Sequence, residues 1–284
     1  MDRSFWLAAR ENAFPPPQER DRMRLTEELL LWLASPDPEL RDAIAYEALA
    51  HWFARGVYSR PERAAIGARM AESLSRGLGE AGTDSVFLRS FASLILGEVV
   101  AADARDSALP EPVLRAWRER AAHYLVAERD MRGYVPGRGW AHATAHAADC
   151  LGAFAAHPAS GRDDLEDILR AVAERVLRQG GDLFLFDEER RLAFACLEVL
   201  ERPEWTPADT QAWLSLFERP QGRESWRAAS DDETAARVRL NAKAFLLDLY
   251  FQLLWANDEP PARDRQLAHI AASLRAIGTG PYDV

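Results

Sequence analysis

The chain of 284 residues is 48% hydrophobic and 28% charged. That is apolar material enough for a sizeable core, and too much for a disordered segment. A formal net charge of -10 argues against a binder that tracks phosphates with a basic face, so nucleic acid is not an expected partner. Lys243 is the only lysine among 35 basic residues, as a bias toward arginine codons would produce.

The opening "MDRSFWLAAR" lacks the apolar stretch of a secretory signal. "FPPP", Phe14 to Pro17, then separates residues 1–17, an N-terminal extension, from an array spanning 18–284. Asp37-Pro38 has the pattern of a helix start, with a capping residue before proline at the first helical position. Helices are predicted to begin near Gln18, Ser59, Pro110, Gly161 and Thr206, each followed by a second helix. The second helices are expected over 84–104, 139–156, 187–201 and 231–255. The apolar run Val86 to Ala102 is interrupted by Arg89 and Glu98, which makes it too polar and too short for a membrane span. "GGDLFLF" is a candidate extended linker, and "ERPQGRESWRAASDD" is the longest expected loop.

No stretch alternates as a strand would. The starts recur every 40 to 50 residues, the spacing of helical-pair repeats. The expected fold is therefore all-α: one domain, a HEAT- or armadillo-like helical-pair solenoid, with an irregular multi-helix bundle as the alternative. Trp32, Trp52, Trp117, Trp213 and Trp255 fall on apolar stripes and are assigned to the core. Cys150 and Cys196, each inside an apolar helical pattern, behave as small buried hydrophobes rather than a disulfide framework. A cytoplasmic location without membrane association is the corresponding expectation.

"GWAHATAHAAD", Gly139 to Asp149, is the most distinctive stretch in a chain with six histidines. On an α-helix, His142, His146 and Asp149 would share one arc. Two imidazoles four residues apart can bind a divalent metal, with Asp149 completing or orienting the coordination. The same spacing equally fits hydrogen-bonded core histidines, and the intervening Glu of a zincin helix is missing. Parallel second helices would bring Arg89, His142, His146, Glu188 and Asn241 together. With Arg132, Tyr134 and Trp140 from the preceding loop, these would line a polar groove for a protein or small-molecule ligand. Three functions remain open. The first is a binding module. The second is a metal-dependent, hydrolase-like enzyme with Glu188 or Asp149 as candidate catalytic groups and Arg89 holding an anion. The third is a structural motif built as a buried polar network.

"VFLRSF" (Val86 to Phe91), "RGYVPGRGWAHATAHAAD" (Arg132 to Asp149), "DEERRLA" (Asp187 to Ala193) and "FLLDLYFQL" (Phe245 to Leu253) resemble, in that order, a bacterial family called domain of unknown function 2785. Leu247-Asp248 stands where that family often has Arg-Ser. The resemblance implies an all-helical bacterial protein and transfers no activity to any residue.

Overall fold

The computed structural model describes residues 3–180, 182–220, 225–227, 232–256 and 262–278. Among these it contains twelve α-helices and one two-stranded hairpin, so the protein is all-α. The chain divides into two compact units, Met1–Ala159 and Ser160–Val284.

The first unit holds α1 (Arg3–Glu11), α2 (Glu19–Trp32), a π-helical stretch (Glu39–Tyr46) that runs into α3 (Glu47–Ala54), α4 (Arg60–Ser73), α5 (Ser85–Asp103), α6 (Glu111–Ala127), the hairpin strands β1 (Tyr134–Val135) and β2 (Gly139–Trp140), and α7 (Ala143–Ala156). The predicted starts fall one residue before α2, α4 and α6, at Gln18, Ser59 and Pro110. At α4, the Glu62 carboxylate accepts hydrogen bonds from both the backbone N–H and the hydroxyl of Ser59, with Pro61 in the first turn.

α5 is the axis of this unit and packs on α3, α4 and α7. Val86, Phe87, Phe91, Ile95, Leu96, Val99 and Val100 are all buried. Against expectation, Arg89 and Glu98 do not make α5 too polar or too short: by length and composition it could cross a membrane, but 72% of that window is buried inside the protein, where it forms core. α5 and α7 approach closely because both present small residues. A Cβ on Gly97 would lie 3.3 Å from the Cα of Cys150, and α7 is largely alanine along its length.

The second unit comprises α8 (Arg162–Val176), α9 (Glu188–Leu200), α10 (Pro207–Leu214) with a 3₁₀ turn (Ser215–Phe217), α11 (Glu233–Trp255) and α12 (Arg263–Ile277). α8 and α10 follow Gly161 and Thr206, as predicted. The core includes Leu165, Ile168, Leu192, Val199, Phe245, Leu249 and Ile270. Phe217 stacks on Phe245 at 5.6 Å, and Trp213 donates its indole N–H to the Leu169 carbonyl at 2.9 Å. Residues 182–185 have no regular structure, in keeping with a linker at "GGDLFLF", of which Gly181 lies outside the described residues. The expected loop 218–232 also lies partly outside them.

Two further expectations need correction. Trp255 is 71% exposed and stacks on Phe251, whereas Trp32, Trp52, Trp117 and Trp213 are buried. The helix predicted from Gly139 starts at Ala143. Residues 139–142 instead return along the hairpin, where Ala141 N and His142 N donate to the carbonyls of Gly133 and Arg132. Gly137 and Gly139 have φ of +74° and +73°, left-handed values that the body of an α-helix does not take and that glycine adopts without a Cβ clash.

Gly67 of α4 tests the packing. A Cβ there would sit 2.3 Å from the Trp117 ring. Alanine should gain about 1 kcal/mol of helix propensity and lose roughly 1–3 kcal/mol to overpacking. Gly67→Ala is therefore expected to lower the denaturation midpoint. A raised midpoint would show that Trp117 yields at no cost.

Candidate functional site

The "GWAHATAHAAD" region is assembled from the π-helical stretch, the start of α5, the segment after α6, the hairpin and the start of α7. Arg41, fully buried on the π-helical stretch, organises it. Its guanidinium donates to the carbonyls of Ser35 (2.7 Å), Arg138 (2.6 Å) and Trp140 (3.2 Å). It also lies over the Phe87 and Phe91 rings, 4.0 and 5.0 Å from their centroids. Burial pulls its pKa down to about 10, against the favourable pull of Asp42, Asp37 and Asp84. The guanidinium therefore still carries its charge at neutral pH. Pro38, one turn earlier, packs where a Cβ on Gly139 would come within 2.7 Å.

A second network fixes the other side of the hairpin. Arg89 forms a fully buried ion pair with Glu128 and donates to the Glu80 carbonyl and the Ser85 hydroxyl. Glu128 also accepts from the amides of Arg129 and Asp130, each at 2.8 Å. Asp130 accepts from the Gly82 amide and from the Arg132 guanidinium, and Arg132 reaches the Thr83 carbonyl. Burial works against ionisation of Asp130, but the hydrogen bonds from Arg132 and Gly82 outweigh it and hold its pKa below the usual carboxylate range.

Three predicted site residues change meaning here. Arg89 is consumed by Glu128 and the 80–85 loop, so it is not a receptor for an external anion. His142 lies outside the helix as its N-cap, with left-handed φ 48° and ψ 35°, so the shared helical arc of His142, His146 and Asp149 does not form. Its ring meets that of His146 at right angles, 5.8 Å between centroids. Burial raises the pKa of Glu98 and Cys150, and the Asp149 charge adds to both shifts, so Asp149 acts on that side rather than on His142. Among the described residues no three His, Cys, Asp or Glu side chains gather as a metal-binding set.

His146 is buried and polarised by Ser90. The Ser90 hydroxyl donates to the Ala141 carbonyl and lies 2.8 Å from Nδ1 of His146. Its single proton is thus committed, so Nδ1–H of His146 donates to Ser90 Oγ. With its proton on Nδ1, a neutral ring would carry its lone pair on Nε2. Rings continue outward from this point. Phe91 meets His146 at 5.1 Å, His142 lies 4.2 Å from Trp140, and Trp140 meets Tyr134 edge-on at 5.2 Å. Tyr134 and Trp140 are 52% and 40% exposed. A ladder of aromatic rings thus runs from the core to an exposed shelf on the hairpin.

Glu188 and Asn241 belong to the second unit, where each is occupied. Glu188 accepts from the amides of Leu185 and Phe186. Asn241 accepts from the Phe184 amide and donates to the Asp182 carbonyl. Together they pin the linker between α8 and α9. A buried carboxylate already holding two amides is poorly placed to act as a general base.

Ser90, Glu128 and Asp130 carry no distinguishing pattern in the sequence, although they stand in or beside its motifs. Arg41 gave no sequence signal, because its role depends on the π-helical stretch.

An all-α fold carrying a hairpin-mounted aromatic shelf thus defines the molecule. Residues 74–251 match the family described as Protein of unknown function (DUF2785), and the chain belongs to that family. No curated protein and no solved structure matches it.

The Asp130 network predicts a pH dependence. A carboxyl with a depressed folded pKa stabilises above its unfolded value, near 3.9, and that contribution is lost as pH falls toward the folded value. Acid unfolding followed by tryptophan fluorescence should therefore show stability falling below about pH 4. Asp130→Asn should be less stable at pH 7 with a flatter acid limb. An unchanged acid limb would remove Asp130 from the account.

Proposed function

We propose that the protein is a binding module whose ligand rests on the shelf formed by Tyr134, Trp140 and His142. The observation that carries this is the mounting of two exposed aromatic rings on a hairpin held by a buried arginine, two positive-φ glycines and a buried ion pair. Exposed apolar rings on a rigid support lose little conformational entropy when they bind a ligand. The Arg132 carbonyl accepts the His142 amide at the base of the hairpin, and the His146 ring meets that of His142 at right angles.

The helical-pair array belongs to the same reading. α4 contacts α6 while α5 contacts α7, the first-on-first and second-on-second stacking expected of repeated pairs. The groove expected to include Glu188 and Asn241 is not needed for this function.

Trp140 supplies the test. Ligand screening monitored by the indole N–H resonances should find compounds that shift the Trp140 signal. Trp140→Ala should abolish their binding with little effect on stability, since the ring is substantially exposed. Hits that bind equally well to Trp140→Ala would place the ligand elsewhere.

A second reading rests on the Nε2 lone pair of His146 beside His142: a hydrolase-like enzyme using a divalent metal. Metal analysis separates the two. That enzyme requires stoichiometric metal that disappears in His146→Ala, whereas the binding module predicts ligand shifts at Trp140 in metal-free protein. Should His142→Ala and His146→Ala lose stability without affecting metal or ligand, the motif is a structural network.

A further inference from the structure

α11 is apolar on two faces, and its own unit covers only one of them. Val238, Ala242, Phe245, Leu246, Leu249 and Leu253 are buried where the helix packs on α9 and α12. On the opposite side Leu240, Leu247, Phe251 and Trp255 are exposed, with Ala244 and Leu254 half-buried among them. At 100° per residue these six positions fall within an arc of about 100°. Single exposed apolar residues are ordinary, whereas a continuous stripe of them marks a surface that another molecule covers. A helix apolar on both sides is normally buried on both.

The spacing within the stripe indicates a helical partner. Leu240, Ala244, Leu247, Phe251 and Leu254 follow one another at intervals of four, three, four and three residues. That alternation lets one helix seat its side chains between those of a second. Two heptads are too few for an isolated coiled coil, but α11 is already folded against its own unit and pairing costs it no helix formation. Phe251 and Trp255 stack on each other with centroids 5.1 Å apart, so they lose little freedom when covered.

Charge selects the partner. Lys243 and Asp248 lie on opposite flanks of the stripe, five residues and about 140° apart, too far round the helix to pair with each other. Neither forms an ion pair among the described residues. In two parallel copies of α11, the flank of one helix faces the opposite flank of the other, and position 243 stands against position 248 twice over. Both contacts are then lysine against aspartate. An antiparallel pair would instead set the side bearing Arg239 and Lys243 against the same side of its partner.

We infer that the exposed stripe of α11 is a homodimer seam, covered by the parallel α11 of a second copy of the chain, with Lys243 of each copy paired to Asp248 of the other. A seam of this length is smaller than a standard interface, so association is expected in the micromolar range.

Sedimentation velocity of the full-length chain from about 1 to 200 µM should show a monomer–dimer transition. Leu247→Asp, a substitution at an exposed position in the middle of the stripe, should leave a monomer throughout with an unchanged denaturation midpoint. Lys243→Glu and Asp248→Lys should each weaken dimerisation about fivefold or more. An equimolar mixture of those two variants should dimerise again, because every acid then meets a lysine. A chain that is monomeric at the highest concentration would overturn the inference and leave the stripe to a helix of a different protein. A dimer that survives Leu247→Asp would overturn it as well. Charge variants that dimerise as tightly as the parent chain, or that mixing does not rescue, would overturn the parallel pairing.

Discussion

A charged guanidinium without water around it holds this structure's most distinctive feature in place. Arg41 is stripped of solvent, laid on two phenylalanine rings and given carbonyl oxygens from the turn before its own helix, from Arg138 just before β2 and from Trp140 at its end. Burying a charge is costly unless its hydrogen bonds are satisfied. The hairpin can therefore leave its position only by abandoning a buried cation. This makes the hairpin conformation depend on a residue far earlier in the chain. Gly139 fits the same constraint, because its missing side chain leaves room for the proline that precedes Arg41's helix.

The second buried cation, Arg89, is neutralised differently. It has a carboxylate partner, and that carboxylate in turn caps the chain after α6 through two backbone amides. Ion pairs of this kind contribute little net stability compared with an apolar core, but they are strongly disruptive when only one partner is removed. Their contribution here is geometric: they specify one path for residues 128–133 on the way to the hairpin. Polar side chains that looked like ligand-binding groups in the sequence are thus committed to the backbone, and the exposed chemistry is left to aromatic rings.

The helical architecture was readable because its signals are local. Capping residues, prolines in first turns and apolar periodicity located the starts of α2, α4, α6, α8 and α10 to within a residue. The site was only partly legible. His142 and His146 were recognised as central, but their relation depended on a helix beginning at Gly139. The positive-φ glycines and the carbonyls of Arg132 and Gly133 pull those residues into a hairpin instead, and nothing in the helical pattern opposes that. Arg89 drew attention as a charge in an apolar run; its partner Glu128 lies on the far side of the next helix, and such pairings are tertiary facts. Trp255 shows the converse failure. It continues an apolar stripe on α11 whose outer part, with Leu247 and Phe251, stays exposed.

The two cysteines carry one more implication. Both are buried as free thiols, and burial pushes each far above the ordinary thiol range, with Asp149 adding to the effect at Cys150. The thiolate is the form that reacts with peroxides, disulfides and electrophiles. In its folded state the protein should therefore be indifferent to the redox state of its surroundings as far as sulfur exchange is concerned. Sensitivity of these thiols to an oxidant would report that α7 or α9 had opened.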